Sequence, residues 1–228
     1  MYNDFKSRSE FYLILFHIIR EAYANERKTD MENICVFGSS SESIDRIYHQ
    51  TAESLGSALV KKGYGVIFGA GKYGVMGATA KGVVAAGGKL IGVSPTFFIE
   101  DGVIFDDCTE LVFTESMRER KFIMEERADA FIICPGGIGT FEEFFEVFTL
   151  KQLRRHSKPI IIYNVNNYYN PMLEMMENCV EQKFMAREFT KLYTVAYTEE
   201  EIFEQLENYK AVIYDKYADV KNGGANNG

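Results

Sequence analysis

Short runs of apolar, mostly β-branched residues alternate along the chain with longer segments in which apolar and polar positions follow helical spacing. The short runs predict strands over 34–37, 65–68, 89–93, 109–113, 130–134, 159–164 and 193–197. Continuous apolar strands separated by helices are typical of a parallel sheet that is covered on both faces. We therefore predict an α/β protein with a single doubly wound, Rossmann-like domain, whose parallel sheet of about six to seven strands is flanked by helices.

The segments between the strands predict helices over 41–62, 78–87, 116–128, 139–154, 171–182 and 198–209. Because there is no evident linker or internal repeat, these elements define one domain over residues 33–210. The apolar segment at 11–19 is too short to span a bilayer and is followed by charged residues, so we interpret residues 1–32 as a helical extension rather than a signal peptide. The glycine- and asparagine-rich ending predicts a partly disordered tail over residues 211–228.

The chain of 228 residues is acidic, with a formal net charge of −8 and a pI near 5.1. This charge argues against the broad basic face that nucleic acids require, whereas one small phosphate needs only a few local donors. No segment is a membrane candidate, so we expect neither nucleic-acid nor membrane partners. The four cysteines form no C-x-x-C pair and the three histidines have no metal-ligand spacing. Cys35 and Cys134 lie inside apolar, strand-like runs, so we predict that they are buried free thiols, and we expect no metal and a cytoplasmic protein.

Two of the turns that follow strands are rich in serine or glycine, and doubly wound folds bind ligands at this end of the strands. FGSSSES (37–43) places Ser39 and Ser40 where their hydroxyls either cap the next helix or face an anion. GAGKYG (69–74) fits G-x-G-x-x-G, with Gly69 and Gly71 positioned for close backbone approach to a phosphate or a sugar.

The G-x-G-x-x-G match is weak evidence for a dinucleotide. It follows the second strand rather than the first, and the segment KLIGVSP (89–95) has no acidic residue where a ribose-binding carboxylate would be expected. The sequence therefore disfavours NAD.

A third turn, PGGIGT (135–140), joins an apolar strand to a helix. Gly136, Gly137 and Gly139 let backbone N–H groups approach a ligand, and Thr140 adds a hydroxyl. The turn feeds a helix N-terminus, where unpaired amides and the helix dipole favour an anion. The sequence alone is thus consistent with an anion-binding turn and equally with a plain helix start.

The helix after this turn carries two different faces. Phe141, Phe144, Phe145 and Phe148 recur at i, i+3, i+4 and i+7, which predicts an apolar stripe that faces the core. The glutamates on the other side are open to two interpretations. They complement the dipole of the helix start, or they reach the ribose of a phosphorylated sugar; the three residues are Glu142, Glu143 and Glu146.

The segment SMRERK (116–121) supplies positive charge. Ser116 and Glu119 form an S-x-x-E capping box, so one interpretation is a charged helix start on the surface. In the other, Arg120 and Lys121 point over the strand ends toward a ligand, where a guanidinium suits forked contacts to a phosphate or a base edge.

Together these motifs resemble those of the Lonely Guy (LOG) family of cytokinin riboside 5′-monophosphate phosphoribohydrolases, a family often labelled lysine decarboxylase. The resemblance covers roughly residues 33–209. The family's P-G-G-x-G-T-x-x-E motif runs from Pro135 to Glu143, and its M-x-x-R-K motif runs from Met117 to Lys121. GAGKYGVMG matches the family's glycine-rich turn, and HSKPIIIYNVNNYYNPM (156–172) matches its segment after the helix.

The resemblance implies hydrolysis of the N-glycosidic bond of a purine nucleoside 5′-monophosphate, of cytokinin type or adenosine. It implies that Glu143 is the carboxylate beside the ribose, with Glu146 as its helper, and that Arg120 lies beside the departing base. The implied substrate-binding residues are Ser39, Ser40, Gly69, Gly71, Met117, Lys121, Gly136, Gly137, Gly139, Thr140 and Glu146. No metal or organic cofactor is implied. Since family members are at least dimers with the site near the interface, we expect a homodimer or a higher oligomer.

The chain also departs from the family pattern. Ile138 stands where many members carry Tyr, Leu150 where Trp is common, and Arg118 where His is frequent. These positions lie beside the shared motifs, so they bear on base preference more than on reaction type. The alternative function is a nucleotide- or molybdenum-cofactor-binding carrier on the same fold, and the intact Arg120 and Glu143 favour the enzyme. Nothing in the sequence resembles a pyridoxal phosphate lysine site, which disfavours lysine decarboxylation.

Overall fold

The computed structural model describes residues 31–212. Its strands are β1 (Asn33–Phe37), β2 (Gly65–Phe68), β3 (Leu90–Pro95), β4 (Glu110–Thr114), β5 (Ala130–Ile133), β6 (Ile160–Tyr163) and β7 (Thr194–Ala196). Its α-helices are α1 (Arg46–Lys61), α2 (Gly74–Ala85), α3 (Phe97–Glu100), α4 (Met117–Arg127), α5 (Ile138–Gln152), α6 (Asn170–Glu181) and α7 (Glu199–Glu207). Short 3₁₀ turns cover Val165–Asn167 and Arg187–Leu192.

The seven strands form one sheet in the order β4-β3-β2-β1-β5-β6-β7, and every neighbouring pair is parallel. The inner strands β2, β3, β5 and β6 are buried along their whole length, which is why their sequences are continuously apolar. The predicted doubly wound, parallel α/β fold is therefore confirmed.

One face of the sheet builds an apolar core with α4, α5 and α6. From α5, Phe144 and Phe148 are buried in this core, and Phe141 and Phe145 pack against it. This arrangement confirms the predicted phenylalanine stripe. It also fixes the rotation of α5 about its own axis.

The start of α1 differs from the prediction. The helix begins at Arg46 rather than at residue 41, because serine side chains pair with nearby backbone instead. The hydroxyl of Ser39 accepts a hydrogen bond from the Ser41 amide, and that of Ser41 accepts one from the Ser43 amide. Residues 39–44 therefore form a loop, and Asp45 caps the helix by accepting from the Ile47 amide.

The start of α2 also differs from the prediction. This helix begins at Gly74, four residues before the predicted boundary at residue 78. Gly74 has a φ of +62°, and a Cβ there would lie 2.5 Å from the carbonyl oxygen of Ser39. The glycine is therefore required both by its backbone conformation and by the adjacent loop after β1.

The N-terminal helical extension predicted over 1–32 lies almost wholly outside the described residues, as does the tail beyond residue 212. Within residues 31–212, no helix is both long and apolar enough to cross a membrane. The four cysteines all lie in this range and are free thiols, two of them buried as predicted, Cys35 and Cys134.

Candidate active site

A cleft of about 650 Å³ lies at the carboxyl end of the sheet. The strand order changes direction between β1 and β5, because β2, β3 and β4 extend on one side of β1 and β5, β6 and β7 lie on the other. The crevice at such a switch point is where doubly wound folds bind ligands. The predicted site residues that line the cleft are Ser39, Ser40, Gly69, Gly71, Met117, Arg120, Gly137, Gly139, Thr140 and Glu143.

Three predicted site residues do not line the cleft. Gly136 lies directly behind it, where a Cβ would approach the Thr140 hydroxyl to 2.1 Å. Lys121 and Glu146 pair with each other, and Lys121 also pairs with Glu142. Lys121 therefore neutralises the carboxylates beside the site, and the structure gives it no place on the cleft wall.

The centre of the cleft wall is an ion pair between Arg120 and Glu143. Arg120 comes from the first turn of α4 and Glu143 from the second turn of α5, and their side chains are only 7% and 10% exposed. Arg120 Nη1 lies 3.1 Å from Glu143 Oε1, and its Nε donates to the Val93 carbonyl at 3.1 Å. Because both ends of the guanidinium are held, its orientation is fixed before any ligand binds.

Gly69 has a close neighbour that the sequence did not predict. We predicted that this glycine lets the backbone approach a phosphate or a sugar. In the structure a Cβ at Gly69 would lie 1.8 Å from Arg120 Nη2. The missing side chain thus makes room for the guanidinium over the end of β2.

Burial raises the pKa of Glu143 from its ordinary value near 4.5 to about 7, although the adjacent Arg120 favours the ionised form. Desolvation therefore outweighs the attraction of the arginine. A carboxyl group that titrates near neutral pH can both accept and release a proton under physiological conditions, which is the property required of a general acid or base.

This pKa predicts a pH-dependent contribution to stability. Because the folded protein holds the Glu143 proton more tightly than the unfolded chain, the contribution is complete below about pH 4.5 and is lost as the pH rises through about 7. The loss is on the order of 3 kcal/mol. Urea unfolding of the wild type and of Glu143→Gln should therefore show a wild-type advantage that shrinks between about pH 5 and about pH 8. An advantage that grows over this interval would contradict the raised pKa.

The start of α5 has the features of an anion site. Gly137 is the N-cap residue, and no side chain of the described residues caps this helix start. The first-turn amides of a helix lack intrahelical partners, and the helix dipole is positive at this end. Thr140 is 3% exposed and lines the same part of the cleft. A phosphate at this position would meet backbone amides and a hydroxyl.

At a second helix N-terminus beside the cleft, backbone amides already donate hydrogen bonds to other groups of the chain. At the start of α2, the Gly74 amide donates to the Glu42 carboxylate at 3.0 Å, and the Met76 amide donates to the Ser39 carbonyl at 3.1 Å. The chain itself thus satisfies these amides. Of the two helix starts, that of α5 is the one that the described residues leave available to an anion.

One wall of the cleft is formed by residues that no sequence motif marks. Phe98, Asp101, Val103 and Ile104 belong to the segment between β3 and β4, which carries no recognisable motif. Backbone hydrogen bonds from Lys72 to Val103 and from Phe105 to Ala70 hold this segment against the GAGKYG turn. Such a long-range backbone pairing leaves no local pattern, so it could not be found from the sequence alone.

Among residues 31–212, no group of three or more His, Cys, Asp or Glu side chains could hold a metal ion. Polar groups that face the described cleft include the Arg120–Glu143 pair, the start of α5 and the side chains of Ser39 and Thr140.

The chain is similar to known proteins over most of its length. The family model described as possible lysine decarboxylase matches residues 76–206. The cytokinin riboside 5′-monophosphate phosphoribohydrolase LOG of Oryza sativa subsp. japonica is 36% identical over 184 residues, which are 81% of this chain and 76% of that protein. The corresponding LOG3 enzyme of Arabidopsis thaliana is 34% identical over 183 residues, 80% of this chain and 85% of that protein.

Solved structures show the same fold. The molybdenum cofactor carrier protein of Chlamydomonas reinhardtii superimposes with a TM-score of 0.60 over 78% of this chain and 98% of that one, at 22% identity. At this identity the likeness concerns the fold alone. The curated relatives are closer in sequence, and the chain covers more than two thirds of each. It therefore belongs to the Lonely Guy family of cytokinin riboside 5′-monophosphate phosphoribohydrolases.

Proposed function

We propose that this protein hydrolyses the N-glycosidic bond of a purine nucleoside 5′-monophosphate and releases the free base and ribose 5-phosphate. The observation that carries the proposal is the buried Arg120–Glu143 pair, which faces the same cleft as the open start of α5. A cation and a carboxylate beside an anion site match the three charges of this reaction. These are the phosphate, the ribose that becomes positive, and the base that departs with negative charge.

The phosphate positions the substrate. The amides at the start of α5 and the Thr140 hydroxyl bind the 5′-phosphate, and Ser39 lines the same cleft. Phosphate binding does not take part in the bond cleavage. It supplies remote binding energy that orients the ribose against the reacting groups.

Glu143 acts at the anomeric carbon. As the bond from C1′ to the base nitrogen breaks, the ionised carboxylate stabilises the positive charge that develops on the ribose. The same carboxylate orients a water molecule and accepts its proton as the water oxygen bonds to C1′. Arg120 stabilises the electron pair that the bond leaves on the base, and the base takes up a proton on release.

The base lies against apolar side chains of the cleft wall. Met117 and Ile138 are exposed at the cleft, and Phe98 is partly buried beside it. Apolar side chains of this kind bind the faces of a planar base. Both adenine and a cytokinin-type base fit such a surface. A comparison of the turnover rates of AMP and isopentenyladenosine monophosphate decides between them.

Incubation with AMP and with isopentenyladenosine monophosphate, followed by chromatography, tests the proposal. We expect free base and ribose 5-phosphate in equal amounts from at least one of the two. No base from either substrate would overturn the hydrolase assignment. Turnover of lysine with added pyridoxal phosphate would also contradict it.

We further propose that the protein is a cytoplasmic homodimer. Phe122 on α4 and Ile138 at the start of α5 are 61% and 81% exposed. Burial of such side chains in a subunit interface removes apolar area from water. Light scattering on the full chain should give twice the monomer mass or a higher multiple, and a monomer at micromolar concentration would contradict the proposal.

A further inference from the structure

The proposed phosphate-binding turn is held from behind by two tyrosine hydroxyls. Tyr168 donates a hydrogen bond to the carbonyl oxygen of Gly136 at 2.6 Å, and Tyr169 donates to that of Cys134 at 2.7 Å. Both tyrosines belong to the segment YNVNNYYNPM that follows β6, and neither is among the cleft-lining residues. They therefore contact the turn on the side away from the cleft.

The bond from Tyr168 sets the direction of one peptide unit. In a planar trans peptide the C=O and the following N–H point in opposite directions. A Gly136 carbonyl that is held toward Tyr168 therefore directs the Gly137 N–H to the opposite side, and Gly137 lines the cleft. The adjacent Pro135 carbonyl is fixed in the same way, because it accepts from the Ser39 amide at 3.1 Å.

Two consecutive glycines make the hydrogen bond from Tyr168 necessary. A peptide between two glycines, Gly136 and Gly137, has few steric restraints and can rotate with little energetic penalty. If the peptide rotated, the amide would leave the cleft and a carbonyl oxygen would face the phosphate. A hydrogen bond from a fixed hydroxyl removes this freedom before the ligand arrives.

The loop that carries Tyr168 is held in one conformation by its own hydrogen bonds. Asn166 and Asn167 adopt left-handed conformations, with φ of 52° and 59°, which asparagine tolerates better than most residues. The buried Asn164 side chain accepts from the Tyr169 amide at 2.7 Å and donates to Asn170 at 2.9 Å. Strained backbone that is held by buried hydrogen bonds is typical of segments that position a functional group.

The Tyr168 ring is also fixed by its neighbours. It packs edge to face against Tyr48 of α1, with ring centroids 5.8 Å apart, and against Tyr169, with centroids 5.0 Å apart. These contacts hold the ring independently of its hydroxyl. Removal of the hydroxyl alone therefore tests the hydrogen bond and leaves the packing in place.

We propose that Tyr168 is a positioning residue for phosphate recognition, whose hydroxyl orients the Gly136–Gly137 peptide so that its amide meets the phosphate monoester of the ligand. This inference rests on the proposed function, because that function places the 5′-phosphate at the start of α5. It adds a residue outside the cleft to the determinants of phosphate affinity.

The test compares Tyr168→Phe with the unaltered protein in calorimetric titrations with ribose 5-phosphate and with adenine. Loss of one hydrogen bond should weaken ribose 5-phosphate binding roughly three- to tenfold and leave adenine binding within about twofold. With AMP as substrate, KM should rise by a similar factor while kcat stays within about twofold, since the reacting groups are untouched.

Tyr209→Phe is the matched control. The Tyr209 hydroxyl also donates to a backbone carbonyl, that of Ser157, but this residue precedes β6 at the opposite end of the sheet. The control should leave both affinities unchanged. Thermal melting of the two variants shows whether each remains folded.

Three results would overturn the proposal. They are an unchanged ribose 5-phosphate affinity in Tyr168→Phe, an equal loss of adenine and ribose 5-phosphate binding with a lowered melting temperature, and no ribose 5-phosphate binding by the unaltered protein. The titrations need no turnover. If the protein bound ribose 5-phosphate but released no base from AMP, the hydrolase assignment would fail and the role of Tyr168 would still be measured.

Discussion

Replacement of Glu143 with glutamine should lower kcat for the release of base from AMP by about 10²–10⁴-fold, while KM changes little. Glutamine keeps the size of the side chain and one oxygen that can accept from Arg120, so the cleft retains its shape. It lacks the negative charge that stabilises the positive ribose and the basic oxygen that accepts a proton from water. Single-turnover assays with purified variant and wild type measure the effect directly.

Glu126→Gln is the matched control for this experiment. Glu126 is exposed on α4 and is not among the cleft-lining residues, so the same chemical change should leave kcat within about twofold. If Glu143→Gln kept near wild-type kcat, the carboxylate would have no part in the chemistry. The raised pKa of Glu143 would then reflect only its burial.

The same pKa predicts the pH profile of the wild type. The reaction requires the ionised carboxylate, and burial holds the Glu143 pKa at about 7. The value of kcat/KM should therefore rise with pH up to about 7 and then level off. A profile that is flat from about pH 5 to about pH 8 would indicate that the step controlled by Glu143 does not limit the rate.

The sequence predicted the fold because the sheet is buried on both faces. Strands such as Ala130–Ile133 and Ile160–Tyr163 are continuously apolar, and this pattern can be recognised in the sequence without knowing which strands pair in the sheet. The helix starts were less predictable. At Ser39 and Ser41 the hydroxyls pair with backbone amides, and this local competition delays α1 to Arg46.

The cleft was predictable where its residues share one motif. Gly137, Gly139, Thr140 and Glu143 lie within seven residues of each other, so one strand-to-helix turn brings them together. The role of Gly69 was not predictable in the same way. Its close neighbour Arg120 is far along the chain, and only the pairing of β2, β3 and β4 brings the start of α4 over this turn.

The Arg120–Glu143 pair is weak evidence for stability and better evidence for function. Two charges removed from water lose hydration that their attraction only partly restores, and an apolar pair of similar volume is often as stable. Here the pair lies in a cleft, beside the N-terminus of α5, which no side chain of the described residues caps. A buried ion pair that is retained at such a place, with a pKa near 7 on its carboxyl group, is typical of a catalytic centre.

Arg120→Met should have the largest combined effect on stability and activity. Methionine fills much of the volume but leaves the Glu143 carboxyl group buried without its cation, so that it must take up a proton when the protein folds at neutral pH, and this should destabilise the protein by about 3–5 kcal/mol. The pKa of Glu143 should rise further, so that the carboxyl group is protonated at neutral pH. Activity should fall by about 10²–10³-fold or more, because the departing base also loses its cation.

Arg127→Met is the corresponding control, since Arg127 pairs with Glu110 on the surface at 2.6 Å, with both side chains more than 30% exposed. Loss of an exposed pair should change stability by less than about 1 kcal/mol and leave activity unaltered. A comparable loss of stability in both arginine variants would show that burial does not distinguish the two ion pairs.

The double variant Arg120→Met with Glu143→Gln separates the structural role of the pair from its catalytic role. It no longer contains a buried carboxyl group that must take up a proton on folding, so we expect urea unfolding to recover a large part of the stability that Arg120→Met loses at neutral pH. Activity should remain as low as in either single variant, because both reacting groups are absent and residues that act as a unit do not add. If activity returned together with stability, the pair would be structural, and the groups that break the glycosidic bond would have to be sought elsewhere on the cleft wall.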